Sequence, residues 1–265
     1  AGALLQGTQD ALWEAGKALI IINTEGDADT ELAAIDVMLG RQVDGLIYAS
    51  MYHQIVAIPE AMRRVPLVLL DARSEDLSVS SVAPNEEGGS YTATAHLLDA
   101  GHRVIGYLQD EVPKPATEER LAGYRRALEE RGLAFDPSLV VEAEPEHTGG
   151  AVAAQRLLGR PQRPTAIACF NDRMAAGATR AAHRAGLSIP EDLSLVGFDN
   201  EELVAPLIEP PLTTVQLPHY EMGRWAGERL LALISDPDLE PQQHRVTCEL
   251  VVRESVAGPQ TATTT

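Results

Sequence analysis

Short, almost unbroken apolar runs alternate along this chain with stretches whose apolar residues recur at helical spacing. The clearest unit lies between Thr165 and Asn200. Thr165–Phe170 and Leu193–Phe198 have the run length and apolar continuity of parallel strands covered on both faces. Between them, Met174, Ala175, Ala178, Ala182 and Ala185 fall on one helical face. Asn171 is placed to cap that helix, and Asp172 puts negative charge on its first turn. Gly186 stops the helix and Pro190 prevents its resumption. A strand–helix–strand crossover of this size predicts two parallel strands, so Asn171 and Asp199 both fall at strand carboxyl ends. That edge is where open α/β sheets bind ligands.

The same alternation runs through the rest of the chain. Helices are predicted over Leu4–Ala15, Thr30–Leu39, Ile55–Arg64, Glu87–Ala100, Glu119–Arg131, Gly150–Leu158 and Glu221–Ile234. Strands are predicted at Ala18–Ile22, Gly45–Ala49, Leu67–Leu70, Val79–Val82, Val104–Leu108, Leu139–Val141, Thr213–Val215 and Arg245–Val252. The first helix feeds a parallel strand with no strand ahead of it, so a first strand is expected upstream of Ala1. So many β/α alternations exceed one small sheet, and two doubly wound parallel-sheet lobes joined by three crossovers accommodate them. The expected N-terminal lobe is 1–84 plus 217–247. The C-terminal lobe is 85–216 plus 248–258, and 259–265 is expected to be a disordered tail.

Composition narrows the function. The 265 residues carry a formal net charge of −18, which argues against a nucleic-acid grip by this segment. The two cysteines, Cys169 and Cys248, sit in apolar strand sequence and read as buried free thiols. No apolar run reaches transmembrane length and no signal segment opens the chain, so a soluble, cytoplasmic protein without membrane partners is expected. There is no Gly-rich phosphate loop, nucleophile elbow or His/Cys cluster at metal-ligand spacing. Neither enzyme activity, nor a metal, nor a cofactor is therefore expected.

Particular residues carry a resemblance. Val43-Asp44-Gly45-Leu46-Ile47, Pro66-Leu67-Val68 with Asp71, and Gly101-His102-Arg103 with Ile105-Gly106 come first. Arg120-Leu121-Ala122-Gly123-Tyr124, Pro164 through Asn200, Pro210-Pro211-Leu212-Thr213-Thr214-Val215, Met222-Gly223 and Leu250–Ser255 follow in order. Together they resemble the effector-binding core of LacI/GalR-type transcriptional regulators, which share the type I periplasmic-binding-protein fold. The resemblance implies a homodimer that holds a small ligand, usually a sugar, between two lobes. It implies that operator DNA is read only by an N-terminal helix-turn-helix, which this sequence does not contain. A sugar-binding protein of an ABC uptake system is the alternative with the same fold. Departures from the family pattern are Pro84-Asn85 in place of Asp-Asn, Thr247 in place of proline, Leu217 in place of glutamine, and Ala116, which lacks a hydroxyl.

By position, the resemblance makes Arg120, Asn171 and Asp199 the main polar contacts to the ligand. A guanidinium, an amide and a carboxylate suit adjacent sugar hydroxyls, with apolar neighbours on the ring. Asp71 matches a polar position of the first lobe, Phe170 an apolar wall, and His147 a stacking position. Tyr48 and His219 are looser first-lobe candidates. Each has a plainer reading: Asn171 as a helix cap, Asp199 as a turn residue, Arg120 as a solvated helix arginine, Phe170 as sheet core, His147 as a surface histidine. His102 reads as a turn residue, and Trp13 and Trp225 as packing residues.

Overall fold

A computed structural model of the chain describes residues 2–260. In chain order the helices and strands are α1 (Gly2–Glu14), α2 (Ala28–Gly40), β1 (Leu46–Ile55), β2 (Leu67–Arg73) and β3 (Ser80–Pro84). Next come α3 (Glu86–Asp99), β4 (Ile105–Asp110), α4 (Pro115–Glu130), β5 (Val140–Ala143), α5 (His147–Leu158), β6 (Ala166–Cys169) and α6 (Asp172–Arg184). The chain ends with β7 (Ser194–Asp199), β8 (Thr213–Gln216), α7 (His219–Ser235), β9 (Gln243–Val246) and β10 (Glu249–Val251). Helix starts follow local chemistry. Asp27 accepts from Thr30 N at 2.8 Å, Asn85 from Gly88 N at 3.0 Å, and Pro115 opens α4, where a missing N–H costs nothing.

The chain divides into two units, residues 1–84 with 218–246 and residues 85–217 with 247–265, so it passes between them three times. Leu217 and Thr247 each fall in the unit opposite to the one expected. The tail expected at 259–265 lies, from Thr261 on, outside the described residues.

In the first unit β1-β2-β3-β9 form a parallel sheet. Val68, Leu70 and Val82 pack under α1 and α7 on one face, and Leu69 and Ala72 pack with Ile35 and Met62 on the other. Gly7 and Gly223 let α1 and α7 meet backbone to backbone: a Cβ on Gly223 would lie 2.0 Å from Leu4 O. In the second unit the order is β10-β8-β7-β6-β4-β5, parallel except for the antiparallel edge strand β10. Its inner strands β4, β6, β7 and β8 are buried on both faces, against α5 and α6 on one side and α3 and α4 on the other.

Four local expectations are corrected. Ala18–Ile22 is not a strand: no described strand pairs with it, and Ile20, Ile21 and Ile22 are exposed. Without a ladder neighbour an apolar run has nothing to make it a strand. These residues line a cavity of about 470 Å³ beside Leu46, Ile35 and Leu230. Ile55–Arg64 is not a helix, because β1 runs on to Ile55, which pairs with Arg73, and only a 3₁₀ turn at Glu60–Arg64 follows. Pro59 disfavours helix before it and cannot donate within one. Arg245–Val252 is two strands, β9 on β3 and β10 on β8, because the chain changes unit at Thr247. Trp13 is 73% exposed and is not a packing residue, whereas Trp225 stacks on His244 at 5.0 Å.

Candidate functional site

The carboxyl ends of β6 and β7 carry the densest polar chemistry of the second unit. Phe170 and Asn171 follow β6, and Asp199 ends β7. Arg120 reaches them from the second turn of α4 and is 4% exposed. Its Nε donates to Glu86 Oε2 at 2.6 Å and its Nη1 to Phe170 O at 2.5 Å. Its Nη2 lies 3.3 Å from Asp199 Oδ1. The guanidinium carbon stands 3.7 Å from the Phe198 ring centroid and 4.5 Å from that of Phe170. The guanidinium is thereby fixed in plane and direction. Burial works against its charge, but the carboxylates of Glu86 and Asp199 outweigh this and raise its pKa.

Asp199 has φ 106 and Asn200 φ 52, a left-handed pair at the strand end. Backbone held in that region concentrates at ligand sites, where the surroundings impose it. Burial pushes the Asp199 carboxyl up to about 8 against the pull of Arg120. Asn171 caps α6 through Oδ1, which accepts from Met174 N at 2.8 Å, while Nδ2 donates to Pro145 O at 2.9 Å. The amide is locked in direction and keeps one N–H and one lone pair. The cap reading holds, and the cap is what orients the amide.

Phe170 is 5% exposed and belongs to the core cluster with Met174 and Leu108, so it supports Arg120 more than it offers a free wall. His147 is the first residue of α5 and is exposed, next to Glu146, which pairs with Arg173 at 2.8 Å. Arg120, Asn171, Asp199, Phe170 and His147 are thus gathered in one unit. Asp71, Tyr48 and His219 belong to the other. Asp71 is 5% exposed in β2 with φ 53, a second left-handed carboxylate. Tyr48 donates from its hydroxyl to Glu31 Oε2 at 2.9 Å and packs with the Ile35–Met62 cluster, so its polar end is already engaged. His219 is the half-buried first residue of α7.

Sequence reasoning missed Glu86, Phe198 and the burial of Asp172. Glu86 is 2% exposed, yet it reads as first-turn charge on α3. Asp172 is fully buried. Its Oδ1 accepts from the Thr214 hydroxyl at 2.5 Å and its Oδ2 from Glu201 N at 2.8 Å, and burial raises its pKa to about 6. No local signal marks Glu86: it opens α3 beside Glu87, as a solvated first-turn carboxylate would. His102 is a buried turn residue between Thr165 Oγ1 and Ala257 O. Cys169 and Cys248 are free and buried. Among the described residues no cluster could hold a metal ion, and no helix is long and apolar enough to cross a membrane.

Comparison with known proteins places the chain as a whole. Residues 94–256 match the periplasmic binding protein-like domain family. The chain is 33% identical over 255 residues to the HTH-type transcriptional repressor PurR of Aliivibrio salmonicida, covering 96% of this chain and 76% of that protein. It is 38% identical over 245 residues to the ribose operon repressor of Haemophilus influenzae, covering 90% and 71% respectively. A regulator structure from Enterococcus faecium with bound ribose superposes with a TM-score of 0.78 at 28% identity, covering 97% of this chain and 93% of that one.

Proposed function

The chain belongs to the LacI family of transcriptional regulators, a family of repressors and not of enzymes, and on that premise we propose that it is a sugar-sensing effector core. The observation that carries the sugar reading is the Arg120–Asp199–Asn171 group at the carboxyl edge of β6 and β7. A fixed fork of donors, an acceptor and a locked amide match the alternating donors and acceptors of adjacent hydroxyls. The ribose operon repressor and the ribose-bound regulator among its relatives support the same ligand class. Asp71, His219 and His147 are proposed as further contacts, with Phe170 holding Arg120 from behind.

The proposed protein works in the cytoplasm as a homodimer, and operator DNA is read by a helix-turn-helix outside residues 1–265. The net charge of −18 supports that division, because a phosphate-binding face must be basic. Effector binding biases the protein between states of different operator affinity, a population shift rather than chemistry on the ligand. An uptake-system sugar-binding protein would share the fold, but the relatives named above are repressors.

A thermal-shift screen of monosaccharides, disaccharides and nucleobases, repeated on Asp199→Ala, tests the reading. A sugar should stabilise the wild type by mass action and leave the variant unmoved. A nucleobase hit in place of any sugar would overturn the ligand class. A monomer in sedimentation at micromolar concentration would overturn the dimer.

A further inference from the structure

We infer that the Arg120 site excludes anions, so that its effector is an uncharged polyhydroxylated molecule: a free sugar, not a sugar phosphate or sugar acid. The word "polyhydroxylated" rests on the reading above, and "uncharged" rests on the charges alone.

An arginine in a ligand site ordinarily invites a carboxylate or phosphate. Here that invitation is withdrawn. Three of its five N–H groups are engaged: Nε with Glu86, one on Nη1 with the carbonyl of Phe170, and one on Nη2 toward Asp199, which leaves two for neutral hydroxyls. The guanidinium carbon also lies over two aromatic rings, those of Phe198 and Phe170. The neighbouring cations are committed in the same way. Lys114, 5.4 Å from the Phe170 ring centroid, pairs with Asp110 at 2.6 Å. Arg173 sits between Glu146 at 2.8 Å and Glu201 at 2.9 Å.

Helix N-termini are the other ready anion sites, and each at this edge has a carboxylate at or near its start: Glu86 begins α3, Glu146 precedes α5, Asp172 begins α6, and Glu118 stands in the first turn of α4. Six carboxylates (Glu86, Asp110, Glu146, Asp172, Asp199, Glu201) therefore face four cations: Arg120, Lys114, Arg173 and Arg253, whose guanidinium is held by Asn200 Oδ1 and Leu212 O at 2.7 Å each. If Asp172 and Asp199 both hold protons, four face four. An incoming anion meets a surplus of negative charge in the ionised state and no surplus of positive charge in the protonated one, whereas a neutral polyol meets acceptors and fixed donors. Glu86 is then a specificity-determining residue, because it neutralises the one cation that the site fully buries.

Two titrations test this. Calorimetry on matched pairs (ribose and ribose 5-phosphate, glucose and glucose 6-phosphate, galactose and galacturonate) should show each anionic member at least about tenfold weaker than a neutral partner that binds. Inorganic phosphate, followed by thermal shift to roughly 20 mM, reports on the charge whatever the effector is. It should not stabilise the wild type, and should stabilise Glu86→Gln, in which the guanidinium keeps an acceptor on Nε but loses the carboxylate that offsets its charge. Should Glu86→Gln fail to fold, Asp199→Asn is the second variant and, titrated above about pH 8 where the wild-type carboxyl carries its charge, should gain phosphate stabilisation likewise. A phosphorylated sugar binding more tightly than its neutral partner, or saturable phosphate stabilisation of the wild type, overturns the charge inference and leaves the sugar reading standing. Absence of any phosphate gain in both variants also overturns it. A neutral nucleobase binding in place of every sugar sinks the sugar reading and leaves anion exclusion intact.

Discussion

Gly197 and Asp172 fit together as space and occupant: a Cβ on Gly197 would lie 2.2 Å from Asp172 Oδ1. The bare glycine in β7 is what allows a buried carboxylate to lie under the strand. There it accepts from Thr214 and from the backbone of Glu201, the residue two beyond Asp199. The strand end that carries Asp199 is thus tied down from beneath by a fully buried group.

Gly197→Ala is expected to push that carboxylate out. Overpacking a filled interior costs about 1–3 kcal/mol, and the displaced carboxylate also leaves its two donors short. Urea unfolding should show the lower midpoint. An unchanged midpoint would mean that Asp172 relocates without loss.

Arg120→Met should be among the most damaging single changes in the second unit. It leaves Glu86, 2% exposed, without the partner it meets at 2.6 Å. Breaking a buried pair from one side costs about 3–5 kcal/mol. Arg120→Met combined with Glu86→Met removes both charges, and should recover part of that loss. The double-mutant cycle on unfolding free energies checks it, and strict additivity of the two single effects would contradict the pairing.

Stability should fall as pH rises toward 8. Burial holds the Asp199 carboxyl up to about 8 in the fold, against an ordinary value of 3.8. Between those limits the folded state binds the extra proton, so each step up in pH favours unfolding; above about 8 the effect is complete. Asp172, raised to about 6, adds in the same direction over the lower part of the window. Asp199→Asn should flatten the profile of unfolding free energy between about pH 5 and pH 8. A profile that rises through this window in the wild type, and is unchanged in the variant, would contradict the assignment.

How much of this was legible beforehand depends on which residues were asked. The strand–helix–strand unit from Thr165 to Asn200 could be read closely, because apolar runs, an N-cap and a Gly stop are all local signals. Asn171 and Asp199 followed from strand polarity alone. Glu86 did not, since a carboxylate at a helix start has the same sequence whether it faces water or a buried arginine. Only packing decides, and Arg120 lies 34 residues away. Ala18–Ile22 failed for the opposite reason: its local signal is strong, but a strand requires a neighbour, and among the described residues it has none. The split of Arg245–Val252 into β9 and β10 is likewise a matter of which sheet receives each half.

Asn171 allows the cap and the ligand contact to be separated. Asn171→Ala loses both the acceptor for Met174 N and the donor to Pro145 O, and removing an N-cap costs about 0.5–2 kcal/mol. Asn171→Asp keeps the acceptor and the charge-friendly helix start, but sets a carboxylate oxygen against Pro145 O. The aspartate variant should therefore lie between wild type and alanine in unfolding free energy. In sugar binding it should resemble alanine, because the donor that the amide supplied is gone in both. Unfolding and calorimetry on the same three proteins separate the two roles. If affinity tracked stability across the series, Asn171 would be a helix cap and nothing more.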